Sequence, residues 1–138
     1  NWRERGTLLN ELARKSGDFL EQEAAGELLK LFLDPRLGFF HTGTVMSNAI
    51  QIAFYLGFKE IFLLGFDLGN ANQPRFYEHT EDVVRSGLLN DYEEHIKPFM
   101  LLTKLASKKT GVGVYNCSPV TLLPYSIIPY RDFNSLFF

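Results

Sequence analysis

FFHTGTVMSNAIQIAFYLGFKEIFLLGFD, residues 39–67, decides the fold, because it reads without interruption as turn, helix, turn and strand. Val45, Ala49, Ile52, Ala53 and Leu56 recur at helical spacing. Met46, Ile50 and Phe54 widen that stripe until only Ser47, Asn48, Gln51 and Tyr55 are polar, which predicts a central helix covered on most sides. Gly57 suits the left-handed residue that closes such a helix, and Lys59 and Glu60 keep the next turn polar. Ile61, Phe62, Leu63 and Leu64 follow as a continuous apolar run, the pattern of a parallel strand buried on both faces.

Both ends of this unit carry chemistry. His41, Thr42, Gly43 and Thr44 open the helix with two hydroxyls and a glycine, where unpaired backbone N–H groups and the helix dipole favour an anion such as phosphate. Asp67 follows the strand after Gly65, and ligands of open α/β sheets bind outside the carboxyl ends of the strands. Each has a purely structural reading beside the functional one, Thr42 as a helix N-cap and Asp67 as a turn cap.

On the amino-terminal side, Leu8, Leu9, Leu12 and Ala13 form one helical pattern. Phe19, Leu20, Ala24, Leu28, Leu29, Leu31 and Phe32 form a second, after Ser16-Gly17-Asp18. Asp18 with Glu21 resembles a capping box, and Asp34-Pro35 ends the segment. Residues 1–36 are thus expected as a helical segment packing on an α/β domain at 37–138, with a short strand at 37–40. On the carboxyl side, residues 68–80 form a polar loop emerging from a buried strand, where a site is expected. A helix is predicted over 91–109 with Ile96, Phe99, Met100, Leu102, Leu105 and Ala106 on one side and Pro98 in its early part. Gly111 and Gly113 turn the chain into a strand containing Val112, Val114 and Tyr115, after which Asn116-Cys117-Ser118-Pro119 forms a loop. Ile127 and Ile128 suggest a last extended piece. The alternation predicts a βαβ progression on a parallel sheet.

Bulk properties exclude several function classes. With 14 basic and 16 acidic side chains, a net charge of -2 and no basic cluster, the chain lacks the electrostatic footprint of a nucleic-acid binder. A lone cysteine, Cys117, cannot form an internal disulfide, which fits a reducing compartment and a cytoplasmic location. No apolar run reaches the roughly 20 residues that span a bilayer, and Arg3, Glu4 and Arg5 do not begin a signal peptide. Peripheral contact with the inner membrane stays open. The closing Phe133, Leu136, Phe137 and Phe138 call for burial, in the domain or in a homo-oligomer.

The motif GTVMSNAIQIAFYLGFKEIFLLGFDL, residues 43–68, resembles the MptE-like family of flagellin-glycosylation accessory proteins and 6-hydroxymethylpterin diphosphokinases. Less closely it is similar to the bacterial CMP-sialic-acid sialyltransferases, whose Ser-Gly before a helix and Gly-Ile-Asp after the next strand correspond to Thr42-Gly43 and Gly65-Phe66-Asp67 here. VGVYNCSPVTLL, residues 112–123, is similar to the strand that closes the domain in both groups. Nothing before Phe39 matches their amino-terminal nucleotide loop. The resemblance implies a Rossmann-like three-layer α/β domain with a small parallel sheet, the C-terminal part of a larger nucleotide-binding fold.

It further implies a glycosyltransferase that uses a nucleotide-activated, CMP-linked sugar and a glycan acceptor in bacterial surface-glycan synthesis. Thr42, Gly43, Thr44, Gly65, Asp67 and Tyr77 would bind the nucleotide sugar, and His79 would be the catalytic base, with His41 and His95 as positional alternatives. No metal is required in that reading. A pterin diphosphokinase using ATP and Mg²⁺ is the first alternative, with Asp67 and Glu78 as carboxylates able to hold the cation. A non-catalytic accessory domain is the second. Cys117 reads as a structural thiol.

Overall fold

Gly26 decides how the amino-terminal part folds. In the computed structural model, which describes residues 19–24, 26–69 and 87–137, its φ is +77°, a left-handed conformation that ends a strand and starts another. Strand β1 (Phe19–Ala24) and strand β2 (Glu27–Phe32) pair antiparallel around it, with Ala24 opposite Glu27 and Phe19 opposite Phe32. The helix expected over these residues is therefore a hairpin. Leu29 and Leu31 point inward while Leu28 stands exposed, a period of two rather than 3.6. Gly26 would also cost about 1 kcal/mol inside a helix. The Phe19 and Phe32 rings close the open end, 5.7 Å apart. The first expected helix, within residues 1–18, lies outside the described residues.

Helix α1 (Val45–Tyr55) forms where its periodicity places it, and Gly57 leaves it with φ +75°. Its inward face, however, is Ser47, Ile50, Gln51 and Phe54, whereas Val45 is 78% exposed and Ile52 and Leu56 also face outward. The helix is thus not covered on most sides. Gln51 explains the rotation. Its fully buried amide oxygen accepts the N–H groups of Phe32 (3.1 Å) and Phe40 (3.2 Å), and its nitrogen donates to the carbonyls of Phe40 (2.9 Å) and Ser47 (3.0 Å). These four bonds meet the amide's donor and acceptor capacity. They also explain why the expected strand at 37–40 is absent: Phe40 satisfies its backbone on a side chain instead of a neighbouring strand.

Strand β3 (Glu60–Leu63) pairs in parallel with strand β4 (Gly113–Asn116), and Tyr130 bridges to Asn116 at the other edge of β4. Between the strands runs a helical rod composed of α2 (Leu88–Asp91), a π turn (Tyr92–Ile96) and α3 (Lys97–Thr110). Pro98 is the second residue of α3, in the early part of the helix as expected, although the rod itself begins ten residues before it. The ring of a proline clashes with the carbonyl four residues back, and the wide turn ahead of it, in which the Lys97 N–H donates to Tyr92 five residues back, relieves that conflict.

Tyr92, Ile96, Phe99, Met100, Leu102 and Ala106 bury the rod against Leu29, Leu31, Ile50, Phe54, Ile61, Leu63 and Val114 in one core, while the expected Leu105 is exposed. Both strands alternate. Ile61, Leu63, Val114 and Asn116 are buried, whereas Phe62 and Tyr115 stack 5.5 Å apart on a half-open face with Arg131 4.1 Å from the Tyr115 ring. The expected burial of β3 on both faces is not observed. Ile127 and Ile128 are buried in a turn, not a strand, and Phe133 and Phe137 pack edge-on to each other while remaining exposed. Among the described residues no helix is long and apolar enough to cross a membrane.

Gln51→Leu is expected to cost about 2–4 kcal/mol in urea denaturation, because one buried and one half-buried N–H group lose their acceptor. Ile52→Ser on the exposed face should cost about 1 kcal/mol or less. The reverse order would return the Ile52 face to the core.

Candidate functional site

The chain leaves β3 through a sharp bend. Gly65 has φ +70° and Leu68, a buried non-glycine residue, has φ +58°, a conformation that costs about 1–2 kcal/mol and persists only where the surroundings impose it. The surroundings are visible. The Phe66 carbonyl accepts from Asn116 Nδ2 (3.2 Å) and Thr121 Oγ1 (3.0 Å), and the Asp67 carbonyl accepts the Leu122 N–H (2.9 Å). Asn116, fully buried, uses its Oδ1 to hold the Ser118 N–H (3.0 Å). One amide therefore ties the loop after β3 to the loop after β4.

This lock shapes two adjoining hollows at the carboxyl ends of the parallel strands. The larger, about 370 Å³, is lined by Leu64, Gly65, Asp67, Cys117, Ser118, Pro119 and Val120. The smaller, about 210 Å³, shares Asp67 and Val120 and adds Gly69, Thr121 and Leu122. Asp67 is half-buried between them, so its carboxylate can accept hydrogen bonds from hydroxyls of a ligand in either. Cys117 is a poor nucleophile here. Burial, reinforced by Asp132 and opposed by Arg131, pushes its thiol above the ordinary range.

The start of α1 is built differently from its sequence reading. Thr44, extended and without a side-chain capping bond, is the N-cap residue; Thr42 is buried, and its N–H donates to Ser47 Oγ (3.4 Å). Gly43 has φ +81° with the Asp91 carboxylate lying over it: a Cβ there would stand 2.5 Å from Asp91 Oδ2. The first turn of α1 has no acid of its own, and Asp91 brings a negative charge to its positive end. His41 is exposed, its Nδ1 3.4 Å from Asn48 Oδ1. His95 lies between Glu27 (3.4 Å) and Asp91 (3.8 Å) and ties the hairpin to the helical rod.

The helix start and the strand end are linked through α2. Next to Asp91, the Tyr92 hydroxyl donates to the Leu122 carbonyl (2.8 Å), and Leu122 in turn holds Asp67. Burial raises the Tyr92 phenol, aided by Glu93 and opposed by Lys97, which keeps this donor protonated. Gly65 and Asp67 thus share a hollow with Cys117 and Ser118, while Thr42, Gly43 and Thr44 belong to the Asp91 side. Tyr77, Glu78 and His79 lie outside the described residues. Among the described residues no cluster of His, Cys, Asp and Glu could hold a metal ion. Asp91, Asn116, Ser118 and Thr121 escaped the sequence reading as parts of the site; a polar residue ending an apolar strand, as Asn116 does, is the one signal that could have found one of them.

Comparison with known proteins places this geometry in context. The family model for 3-deoxy-D-manno-octulosonic acid transferase WaaZ matches residues 24–134. A probable 3-deoxy-manno-octulosonic acid transferase of Salmonella typhimurium is 30% identical over 111 residues, which is 80% of this chain and 40% of that protein. One of Escherichia coli with the same description is 30% identical over 105 residues, 76% of this chain and 36% of that protein. The chain thus spans about two-fifths of the length of these curated relatives. No solved structure matches it significantly.

The match over 24–134 overturns the resemblance to the MptE-like family and to the sialyltransferases, and with it the diphosphokinase alternative. A glycine and an acid after a buried strand serve any sheet that binds ligands at its carboxyl edge, so that motif does not separate families. The family matched is named for the transfer of a sugar acid.

Two measurements check this geometry. Gly43→Ala should destabilise by about 2–3 kcal/mol through its φ and the Asp91 contact, and adding Asp91→Ala should recover about 1 kcal/mol in a double-mutant cycle. Alkylation of Cys117 by iodoacetamide should be slower at pH 7 than that of free cysteine, with its midpoint displaced to higher pH, because only the thiolate reacts.

Proposed function

The chain belongs to the 3-deoxy-D-manno-octulosonic acid transferase WaaZ family, and from that membership we propose that it forms the strand-end part of a glycosyltransferase site that moves an acidic sugar from a nucleotide-activated donor to a glycan acceptor. The observation that carries the reading is Asp67, held between two adjoining hollows at the carboxyl ends of β3 and β4. In this reading the carboxylate accepts hydrogen bonds from donor hydroxyls. Gly65, without a side chain, lets the donor approach the backbone.

The reaction needs an acceptor hydroxyl to attack the anomeric carbon as the bond from that carbon to the nucleotide phosphate breaks. The hydroxyl proton passes to a base and the nucleotide leaves with the bonding electrons. Residues 70–86 join Gly69, in the wall of the smaller hollow, to Gly87, and they contain His79 and Tyr77, which in this reading serve as the base and as a hydrogen-bond donor to the leaving phosphate. The Asp91 carboxylate over Gly43 disfavours a phosphate at the start of α1, so this reading puts the donor at the strand end rather than on Thr42, Gly43 and Thr44. CMP and CMP-linked sugars are the first ligands to titrate.

Asp67→Asn should weaken nucleotide or nucleotide-sugar binding by about 1.5–3 kcal/mol, roughly tenfold to more than a hundredfold. Thermal stability should change little, because the backbone bond from Leu122 survives the substitution. Paired calorimetric titration and thermal melting of wild type and variant decide the matter: equal affinities would remove Asp67 from the site, and no saturable binding of any nucleotide would remove the reading.

A further inference from the structure

A third hollow, of about 330 Å³, opens toward the amino-terminal end of β4, between the second half of α3 and residues 125–129. Its floor is apolar, formed by the buried Val114, Ile127 and Ile128, and Tyr115 and Tyr125 wall it. Lys104 and Lys108, one helical turn apart on α3, line it, and no carboxylate does. The Lys104 ammonium donates to the Ser126 carbonyl (2.6 Å), which holds it at the groove with donors to spare. Lys108 has no ion pair or hydrogen bond among the described residues.

Lys108, in the last turn of α3, offsets the helix dipole, which accounts for its charge but not for that of Lys104. Nor does the dipole account for a groove with an apolar floor and two tyrosine walls. An apolar hollow with a few placed polar groups is the usual form of a small-ligand site, and two cations without a carboxylate select for an anion. Tyr125 also connects this groove to the first: its hydroxyl donates to the carbonyl of Ser118 (2.9 Å), which lines the Asp67 hollow. β4 spans only roughly 10 Å between them, a distance an oligosaccharide bridges.

We propose that this groove is the acceptor subsite, binding the anionic group of a glycan, a sugar carboxylate or a sugar phosphate, between Lys104 and Lys108 with the sugar ring against Tyr125. Its role as acceptor subsite rests on the glycosyltransferase reading above; its binding of an acidic saccharide is measured independently of it.

The experiment titrates the whole chain, followed by NMR, with 3-deoxy-D-manno-octulosonic acid, glucose 6-phosphate and neutral glucose. Both anionic sugars should bind, with glucose weaker by about tenfold, and the tighter of the two identifies carboxylate or phosphate as the recognised group. Lys104→Gln and Lys108→Gln should each weaken binding about three- to tenfold, and the double variant more. Because Lys108 has no ion pair or hydrogen bond to lose among the described residues, Lys108→Gln alone keeps the test valid if the Lys104 variant melts early.

Asp67→Asn should leave this affinity unchanged while reducing nucleotide binding. Acidic-sugar binding by a wild-type chain that binds no nucleotide therefore overturns the donor-site reading and not this one. Equal binding of charged and neutral sugars, or wild-type affinity in a normally melting double variant, overturns the proposal. So does a lysine-dependent response confined to phosphatidylglycerol vesicles, which would make the groove a lipid contact.

Discussion

Four hydrogen bonds to one buried side chain hold this domain in its arrangement. Gln51 sits on α1, yet it accepts from the last residue of β2 and both accepts from and donates to Phe40 in the connecting segment. Three parts of the chain that share no sheet are thereby joined through a single amide. A buried amide with all its partners contributes only modestly to net stability, but each partner left behind would cost its full desolvation. The result is specificity of orientation. With Gln51 inward, Ser47, Ile50 and Phe54 must also face the core, and Val45, Ile52 and Leu56 are carried outward.

A second buried amide performs the same task at the other end of the domain. Asn116 closes β4 and reaches across to Phe66 while it holds the backbone of its own loop at Ser118. Thr121 adds a second bond to the same carbonyl, and together they hold a bend that includes a left-handed leucine. Strained backbone of this kind is retained where the position of a neighbouring group matters. Here the neighbour is Asp67, whose carbonyl is fixed by Leu122 and whose side chain stands between two hollows.

The two ends of the central unit differ in charge environment. At the strand end, Asp67 stands in a hollow bordered by a glycine, a serine hydroxyl and a thiol that burial keeps protonated. At the helix start, the protein supplies its own carboxylate from α2, so the place a free anion would favour already has a negative neighbour. Charge rather than shape therefore distinguishes them as ligand sites. The lysine-lined groove along α3 supplies the opposite sign, and Tyr125 stands between that groove and the Asp67 hollow.

Local patterns determined much of this by themselves. The 3.6-residue repeat over 45–56, the left-handed Gly57 and the apolar run after it were enough for α1 and β3. Likewise, Gly111 and the valines beyond it were enough for the end of α3 and for β4. The placement of Gly65 and Asp67 at a carboxyl strand end was also legible, because it follows from chain order alone. The direction in which α1 faces was not. Its apolar residues surround most of the helix, so periodicity cannot choose a side, and the choice falls to Gln51 through partners 11 and 19 residues away. The hairpin was misread because Leu28, Leu29, Leu31 and Phe32 fit either period, and only pairing with β1 across Gly26 separates them. The Asp91 carboxylate at Gly43 and the Asn116 lock on Phe66 are contacts between residues 48 and 50 positions apart in sequence. No local spacing encodes such contacts; they exist only once the core has brought β3, the helical rod and β4 together.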